Sequence, residues 1–348
     1  MNNIKINETP VRTSRNFRIN NIEIDGTSFD SEIGEFNNVS LVGNSEAEVS
    51  DFDLTFGLGE LPINQIKKNA NQKIRFDIKN KTDKDYKAFF EFDKDNFSLV
   101  DNIEIVADEE TKGTVIIKYN SDSKIAAFHN GLIRVNAKSG SKIKIIIVNL
   151  LNNLSINLLS IDNCIEENAN ICYSIIDFGG KMSITNYYSN LIGDLSENRI
   201  NTLYLGSENQ RFDLNYIGEL RGKNSKINID VQGALGGEAK KNFKGTIDFK
   251  KGCKKAIGSE NENCLLLTDK AKSIALPMLL CSEEDVEGEH SSSAGKADNK
   301  ELFYIMSRGF SLKEAMKLLV RAKFNKTIES IKNEEIREEI IGEIEKRL

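Results

Sequence analysis

The segment Cys281-Ser-Glu-Glu-Asp285-Val-Glu-Gly-Glu-His290-Ser-Ser-Ser-Ala-Gly295-Lys-Ala-Asp-Asn-Lys300-Glu-Leu-Phe-Tyr-Ile305-Met-Ser-Arg-Gly309 divides the chain into two kinds of sequence. It opens with Glu283, Glu284, Asp285, Glu287 and Glu289 and then places His290, one of only 2 histidines. Read from sequence, residues 281–297 are a polar loop with a small-residue turn after His290. Asp298 followed by Glu301 has the spacing of a reciprocal helix N-cap, and Gly309 suits the left-handed residue that closes a short helix. The hydrophobic period is two before this segment and three to four after it.

Upstream, Ile74-Arg-Phe76-Asp-Ile78 alternates, as do Phe89 to Phe92, Ile103 to Ile105, Val115 to Tyr119, Ile143 to Val148 and Ile227-Asn-Ile229-Asp-Val231. Short alternating runs broken by Asn, Gly, Asp and Ser clusters predict half-buried strands. Hairpin dipeptides are sparse, with Asp25-Gly26 and Asn130-Gly131 the two examples. So many strands with so few tight hairpins predict a coil that keeps turning one way. The predicted fold is mainly β, a right-handed parallel β-helix over 61–297, with a C-terminal α-helical domain over 298–348. Residues 1–60 are polar, with short alternating pieces at Phe17 to Ile19 and Ile22 to Ile24, and read as an extended arm without a helix.

Downstream, Ser311-Leu-Lys-Glu314 is a capping box. Leu312, Ala315, Met316, Leu319, Val320, Phe324, Ile328 and Ile331 then recur along one helical face, and Ile336, Ile340, Ile344 and Leu348 form a second stripe. Phe303, Tyr304, Met306, Leu319 and Phe324 are more apolar surface than a short helical appendage buries alone. Packing onto the last coil accounts for most of them; a partner accounts for the rest.

The chain has 348 residues and a net charge of -6, which gives no global argument for nucleic acid or an anionic membrane. No apolar run approaches the ~20 residues of a membrane span, and the N-terminus lacks a secretion-signal layout; a cytoplasmic protein is expected. Cys164, Cys172, Cys253, Cys264 and Cys281 show no C-x-x-C spacing and read as reduced thiols. Residues 221–255 carry ten Lys and Arg against three acids, but Phe243 and Phe249 are the only aromatics there. Solvated loops are therefore favoured over a nucleic-acid face. Gly233-Ala-Leu-Gly-Gly237 lacks the G-K-[ST] of a phosphate loop, so no ATP site is expected.

The segment at 281–309 resembles the SufB/SufD family of iron–sulfur cluster assembly proteins. The family pattern is roughly D-D-V-x-C-S-H-G-A-T followed by L-F-Y-L-x-S-R-G. The matching residues are Asp285, Val286, His290, Leu302, Phe303, Tyr304, Ser307, Arg308 and Gly309. Gly288 stands where many members carry cysteine, and Ser291 to Ser293 replace G-A-T. The resemblance implies a β-helix that dimerises, as a homodimer or a SufB/SufD-type heterodimer. It implies docking of a SufC-type ABC ATPase on the C-terminal helices, with Phe303, Tyr304, Met306, Ser307, Arg308, Leu312, Met316, Leu319 and Phe324 as the docking face. Transient contact with a cysteine desulfurase or sulfur carrier follows, and a transient Fe–S cluster rather than a tightly bound cofactor.

In the same family a histidine at the position of His290 is implicated in cluster assembly, and a sulfur-accepting cysteine lies at the position of Glu262. Cys264, shifted by two, keeps the same strand face. Cys281 lies 17 residues beyond Cys264; a coil of that length would stack the two thiols near His290, as a soft-ligand cluster. Glu289 or Glu287 would join His290 on iron. The bland readings are a core cysteine and a surface histidine. Against the non-catalytic scaffold stand a generic protein-interaction solenoid and a carbohydrate-active β-helix protein. The absence of Trp, of a signal and of paired acids weighs against the latter.

Overall fold

The computed structural model describes residues 3–11, 19–29 and 33–348. Phe17 and Arg18, part of one alternating piece, lie outside the described residues. The N-terminal elements are β1 (Asn3–Ile6), β2 (Ile22–Asp25), β3 (Val39–Val42) and α1 (Glu60–Asn69). Then come β4 (Gln72–Ile78), β5 (Asp85–Phe92), β6 (Ser98–Ala107), β7 (Lys112–Ser121), β8 (Phe128–Ala137), β9 (Lys142–Leu150), β10 (Ile156–Ile165) and β11 (Asn170–Asp177). The solenoid continues through β12 (Met182–Leu191), β13 (Glu197–Gly206), β14 (Arg211–Leu220), β15 (Lys226–Leu235), β16 (Lys240–Phe249), β17 (Ala256–Leu266), β18 (Lys272–Cys281) and β19 (Val286–Lys296). Three helices close the chain: α2 (Asn299–Met306), α3 (Leu312–Ser330) and α4 (Glu334–Arg347).

Even-numbered strands β4 to β18 make one 8-stranded sheet, and odd-numbered strands β3 to β19 make a 9-stranded sheet. Apart from the antiparallel β3–β5 pair, neighbours within both sheets run parallel. This is the parallel β-solenoid that the scarcity of hairpins predicts. Each coil contributes one strand to each sheet, and a coil takes about 30 residues, the separation of hydrogen-bonded neighbours such as Ser292 and Glu262.

Alternation then fixes the layers. Residues of one parity point into the lumen, where Ile227, Ile229 and Val231 of β15 join Phe243, Ile247 and Phe249 of β16 in one continuous core. The opposite parity faces outward, and both outer faces are covered in part. On the 9-stranded sheet, Val148, Ile176, Phe178 and Leu203 pack against Val320, Phe324, Ile336, Ile340 and Ile344. The Phe178 and Phe324 rings stack with centroids 6.2 Å apart.

On the 8-stranded sheet, β1 and β2 form a two-stranded ribbon whose Ile6, Ile22 and Ile24 meet Leu158 and Ile184. The ribbon is pinned by Asn7, a non-glycine residue at φ 57. Its amide donates to Asp213 Oδ1 at 2.7 Å, and its carbonyl accepts from Lys244 Nζ at 2.8 Å. Lys244 and Asp213 are 2.5 Å apart and fully buried beneath it, a pair whose severance leaves an uncompensated charge.

Two sequence readings need correction. The period-two reading from residue 60 passes over α1, where Pro62 sits in the first turn and needs no backbone donor. Ile66 packs there on Val100 and Leu132, and Gln65 accepts from Asn130 at 2.7 Å. The polar loop at 281–297 is instead largely strand β19, paired in register with β17. The serine run is the reason: Ser291 Oγ donates to Asn261 at 2.7 Å, Ser292 Oγ to Glu262 at 3.0 Å, and Ser293 Oγ to Asn263. A ladder of side-chain hydrogen bonds replaces the apolar alternation that marks the other strands.

Close packing between neighbouring strands makes Gly233 irreplaceable, since the ring of its register partner Tyr204 lies over it and a Cβ there would fall 1.9 Å from Tyr204 Cζ. Gly233→Val is expected to lower stability by about 1–3 kcal/mol or more, seen as a depressed thermal midpoint. Gly236→Ala, whose nearest neighbour is 3.8 Å away, is expected to leave it within error.

Candidate functional site

The solenoid is sealed at its first coils and open at its last. At the start, Phe36 packs on Phe90 and Phe92 with ring centroids 6.1 and 4.9 Å away. At the far end β18 and β19 are the terminal strands of their sheets, so among the described residues no strand pairs with their outer backbone edges. Inside this mouth the lumen turns polar. Lys241 Nζ lies 2.6 Å from Glu262 Oε1, with both side chains fully buried. Tyr204 donates to the same oxygen at 3.0 Å, and Ser292 donates to Glu262 Oε2 at 3.0 Å. Lys241 also sits over the Tyr204 and Phe243 rings, 5.6 and 5.8 Å from their centroids, a cation–π arrangement.

Glu260 lies one alternation from Glu262, on the same lumen face. It is 2% exposed, and neither carboxylate oxygen has a hydrogen-bond partner. Burial, with Glu262 adding repulsion and Lys241 partly offsetting it, pushes its carboxyl up to about 8. It is therefore a neutral acid at pH 7. His290 is its in-register neighbour on β19 and shares its lumen-facing side, while exposed to solvent at the mouth.

Cys264 also faces the lumen and is 5% exposed. Burial raises its thiol pKa against the opposing pull of Tyr204 and Lys241, so it rests as a thiol, a weak nucleophile. The mouth thus gathers His290, Glu260, Glu262, Lys241 and Cys264 from β16, β17 and β19.

It does not gather the other sequence candidates. Cys264 registers with Gly233 and Ala294 within the 9-stranded sheet, whereas Cys281 registers with Phe249 in the other. The 17-residue coil that would stack the two thiols is therefore excluded, because each coil spends its residues on two strands. Cys281 is exposed, and its Sγ donates to the Glu283 carbonyl at 3.0 Å. Glu289 and Glu287 alternate with His290 along β19 and so face the opposite side. Among the described residues no group of three or more His, Cys, Asp or Glu is arranged to hold a metal ion. Glu260 and Lys241 were missed by sequence reading; charged residues at lumen parity within otherwise alternating strands are the signal that finds them.

The basic run at 221–255 resolves along similar lines. Lys241 and Lys244 are interior, and Lys250 pairs with Asp248 and Glu219 at 2.6 and 3.2 Å.

A second surface lies on the C-terminal helices. Asp298 caps α2 through the Lys300 N–H at 2.9 Å, without a return bond from Glu301. The reciprocal box forms instead at Ser311 and Glu314, and Gly309 takes φ 97. Phe303 is 75% exposed, Tyr304 57%, Leu312 52% and Met306 42%, and Phe310 extends the patch. Arg308 donates to the Tyr304 hydroxyl at 2.5 Å and lies 4.7 Å over its ring. Ser307 Oγ donates to the Tyr304 carbonyl at 2.8 Å. Met316 and Leu319 are half-buried. Phe324 is fully buried on Phe178 and belongs to the packing between helix and sheet, not to this patch.

Comparison with known proteins matches residues 90–323 to the family model "SUF system FeS cluster assembly, SufBD core domain". The chain is 28% identical over 166 residues to the iron–sulfur cluster assembly protein SufD of Bacillus subtilis (strain 168), covering 48% of this chain and 38% of that one. It is 23% identical over 241 residues to SufD of Escherichia coli (strain K12), covering 69% and 57%. It is 22% identical over 239 residues to a SufBD family protein of Mycobacterium leprae (strain TN), covering 67% and 27%. Each match thus spans less than two-thirds of the relative's own length. No helix among the described residues is long and apolar enough to cross a membrane.

The raised Glu260 carboxyl has a signed consequence. Its ordinary value is 4.5 and its folded value about 8, so between these the folded state holds more protons and stability falls as pH rises. Asp177, raised by burial to about 6, acts in the same direction at lower pH. Glu260→Gln is expected to be more stable than the parent at pH 8 and to flatten the decline between pH 6.5 and 8 in urea melts. A variant with the parent's pH slope would contradict the burial assignment.

Proposed function

Because the chain belongs to the SufB/SufD family, we propose that it is a non-catalytic scaffold subunit of the SUF machinery for iron–sulfur cluster biogenesis. It dimerises through the open end of the solenoid and recruits a SufC-type ABC ATPase through α2 and α3. The observation that carries this reading is the exposed apolar patch on those helices. Phe303, Tyr304, Met306 and Leu312 are uncovered there, while the same helices bury Ala315, Val320 and Phe324 completely. Residues already used for folding lie on one side, and the aromatic and arginine side chains that dominate binding energies lie on the other. Tyr304 and Arg308 are held against each other before any partner arrives, which lowers the entropic cost of docking.

The ATPase would supply force through nucleotide-driven motion, and the scaffold would convert it into movement of the mouth. Cluster components are cargo in this scheme. The thiol of Cys264, the imidazole of His290 and the neutral Glu260 offer soft and hard donors at the end of the lumen, and Cys281 offers an accessible thiol outside it. Opening of the mouth would bring Cys264 to solvent, where its thiol pKa would fall.

The test is co-purification with a SufC-type ATPase expressed in the same cells. Phe303→Asp combined with Tyr304→Ala is expected to weaken recovery of the ATPase at least about tenfold, with the thermal midpoint unchanged because both side chains are exposed. Truncation before Asp298 is the poorer test, since it would strip the cover from Phe178 and Leu203. Recovery equal to that of the parent chain would overturn the docking assignment. For the thiols, Cys264→Ser with Cys281→Ser is expected to lower cluster assembly in cells that depend on this chain; normal assembly would remove them from the proposal.

A further inference from the structure

Asn7 lies 178, 206 and 237 residues in sequence from Thr185, Asp213 and Lys244, yet it bonds to all three. Its side-chain amide donates to the Thr185 carbonyl at 3.2 Å, the Asp213 carbonyl at 3.1 Å and Asp213 Oδ1 at 2.7 Å. Its own Oδ1 accepts from Asn186 Nδ2 at 2.9 Å. The backbone is read as well. Lys244 Nζ donates to the Asn7 carbonyl at 2.8 Å, and Asn215 Nδ2 donates to the Glu8 carbonyl at 2.9 Å. Both ends of one amide and two successive carbonyls are thus recognised. An aspartate at position 7 would set an oxygen against the Asp213 carboxylate, and a leucine would satisfy neither partner.

The seat is complete without its occupant. Asn186, Asn215 and Lys244 are register partners on β12, β14 and β16 and form one column across the outer face of the 8-stranded sheet. Asp213 bonds to Lys244 at 2.5 Å and accepts from Asn242 Nδ2 at 3.2 Å, so its position is set by the sheet itself. Uncovering this column would return a charged pair to water instead of exposing apolar surface. A buried ion pair adds little to a permanent core, because desolvation offsets its attraction; on a face that opens, that penalty disappears.

The cover leaves bonds unmade. Oδ1 of Asn186 and Oδ1 of Asn215 have no hydrogen-bond partner among the described residues, although these side chains are 1% and 0% exposed. Native cores rarely leave such acceptors unpaired, so the seat has binding capacity that its present occupant does not use. The occupant is also lightly held. β1 and β2 pair over four residues each, and a two-stranded ribbon is marginal by itself in water. Its apolar hold comes from Ile6, Ile22 and Ile24 against Leu58, Leu158 and Ile184.

We propose that Asn186, Asn215, Lys244 and Asp213 form a binding site for an extended peptide that carries asparagine after an apolar residue, and that residues 6–9 of this chain fill it as a tethered, displaceable ligand. Tethering holds such a segment at an effective concentration of about a millimolar, so the site is closed by default and a peptide in trans must outcompete it. The site is separate from the surfaces described above. It lies on the 8-stranded sheet, whereas α3 and α4 pack on the 9-stranded sheet.

Fluorescence anisotropy with a labelled synthetic peptide of residues 1–11 tests this on the full chain. In a full chain carrying Asn7→Ala the tethered segment loses its side-chain bonds. The peptide is expected to bind that variant at least about tenfold more tightly than the parent, whose own segment competes. The same peptide with Asn7→Ala is expected to bind the variant at least about tenfold more weakly, having lost its bond to a charged acceptor. Circular dichroism checks that the variant folds. A folded variant that takes up neither peptide, or both alike, would overturn the proposal and leave Asn7 as a structural pin. A second measurement needs no substitution: about a millimolar unlabelled peptide added to the parent is expected to speed hydrogen exchange of the chain's own β1 amides, with β12 and β14 staying protected. Exchange in β1 that does not respond would likewise overturn it.

Discussion

A parallel strand at the end of a stack presents a row of backbone N–H and C=O groups that template the next strand, and most of this molecule follows from that constraint. Each coil completes the backbone bonding of the one before it, so two sheets grow together and a lumen forms between them. The first coils are covered by β3 and Phe36. Among the described residues the last coil has no such cover, and β18 and β19 present their edges at the same end. The candidate site lies beside those edges: Cys264, Glu260 and His290 are all on the last two coils of the 9-stranded sheet.

The same end concentrates electrostatic cost. A lumen lined by Phe243, Ile247 and Tyr204 is a poor solvent for charge. Lys241 and Glu262 coexist there by pairing at 2.6 Å, and Glu260 by keeping its proton. Breaking such a pair in a sealed core would cost about 3–5 kcal/mol. Close to an opening, the same groups are sensitive to whatever covers or uncovers them. Buried polarity next to an incomplete surface distinguishes this end from the middle of the solenoid, where His129 and Asp101 lie 2.6 Å apart inside a closed network.

Much of the fold was legible because strand residues alternate. Ile227-Asn-Ile229-Asp-Val231 puts its apolar side chains in the lumen and its polar ones outside, as a period of two requires. The helical stripe from Ala315 to Ile331 was legible for the corresponding reason at a period of 3.6. Where apolar alternation is absent, sequence reading failed. In β19 serines bond to Asn261, Glu262 and Asn263, and the strand reads as a loop. In α1 the helical face is short, a single 10-residue helix with Pro62 in its first turn. The candidate site was half legible: Cys264 and His290 were found, but their partners were not. A neighbour in a solenoid lies about 30 residues away, on an adjacent coil, and nothing in a local window links Glu260 to His290.

On the proposed function, the open end and the exposed face of α2 and α3 are where the chain assembles with others. Hydrogen–deuterium exchange of the protein alone and in complex with a SufC-type ATPase tests it most directly. The complex is expected to gain protection in α2 and the start of α3, and concentrating the protein alone is expected to protect amides in β19. Protection gained instead on the N-terminal ribbon or along the middle coils, with β19 and α2 exchanging as before, would contradict it.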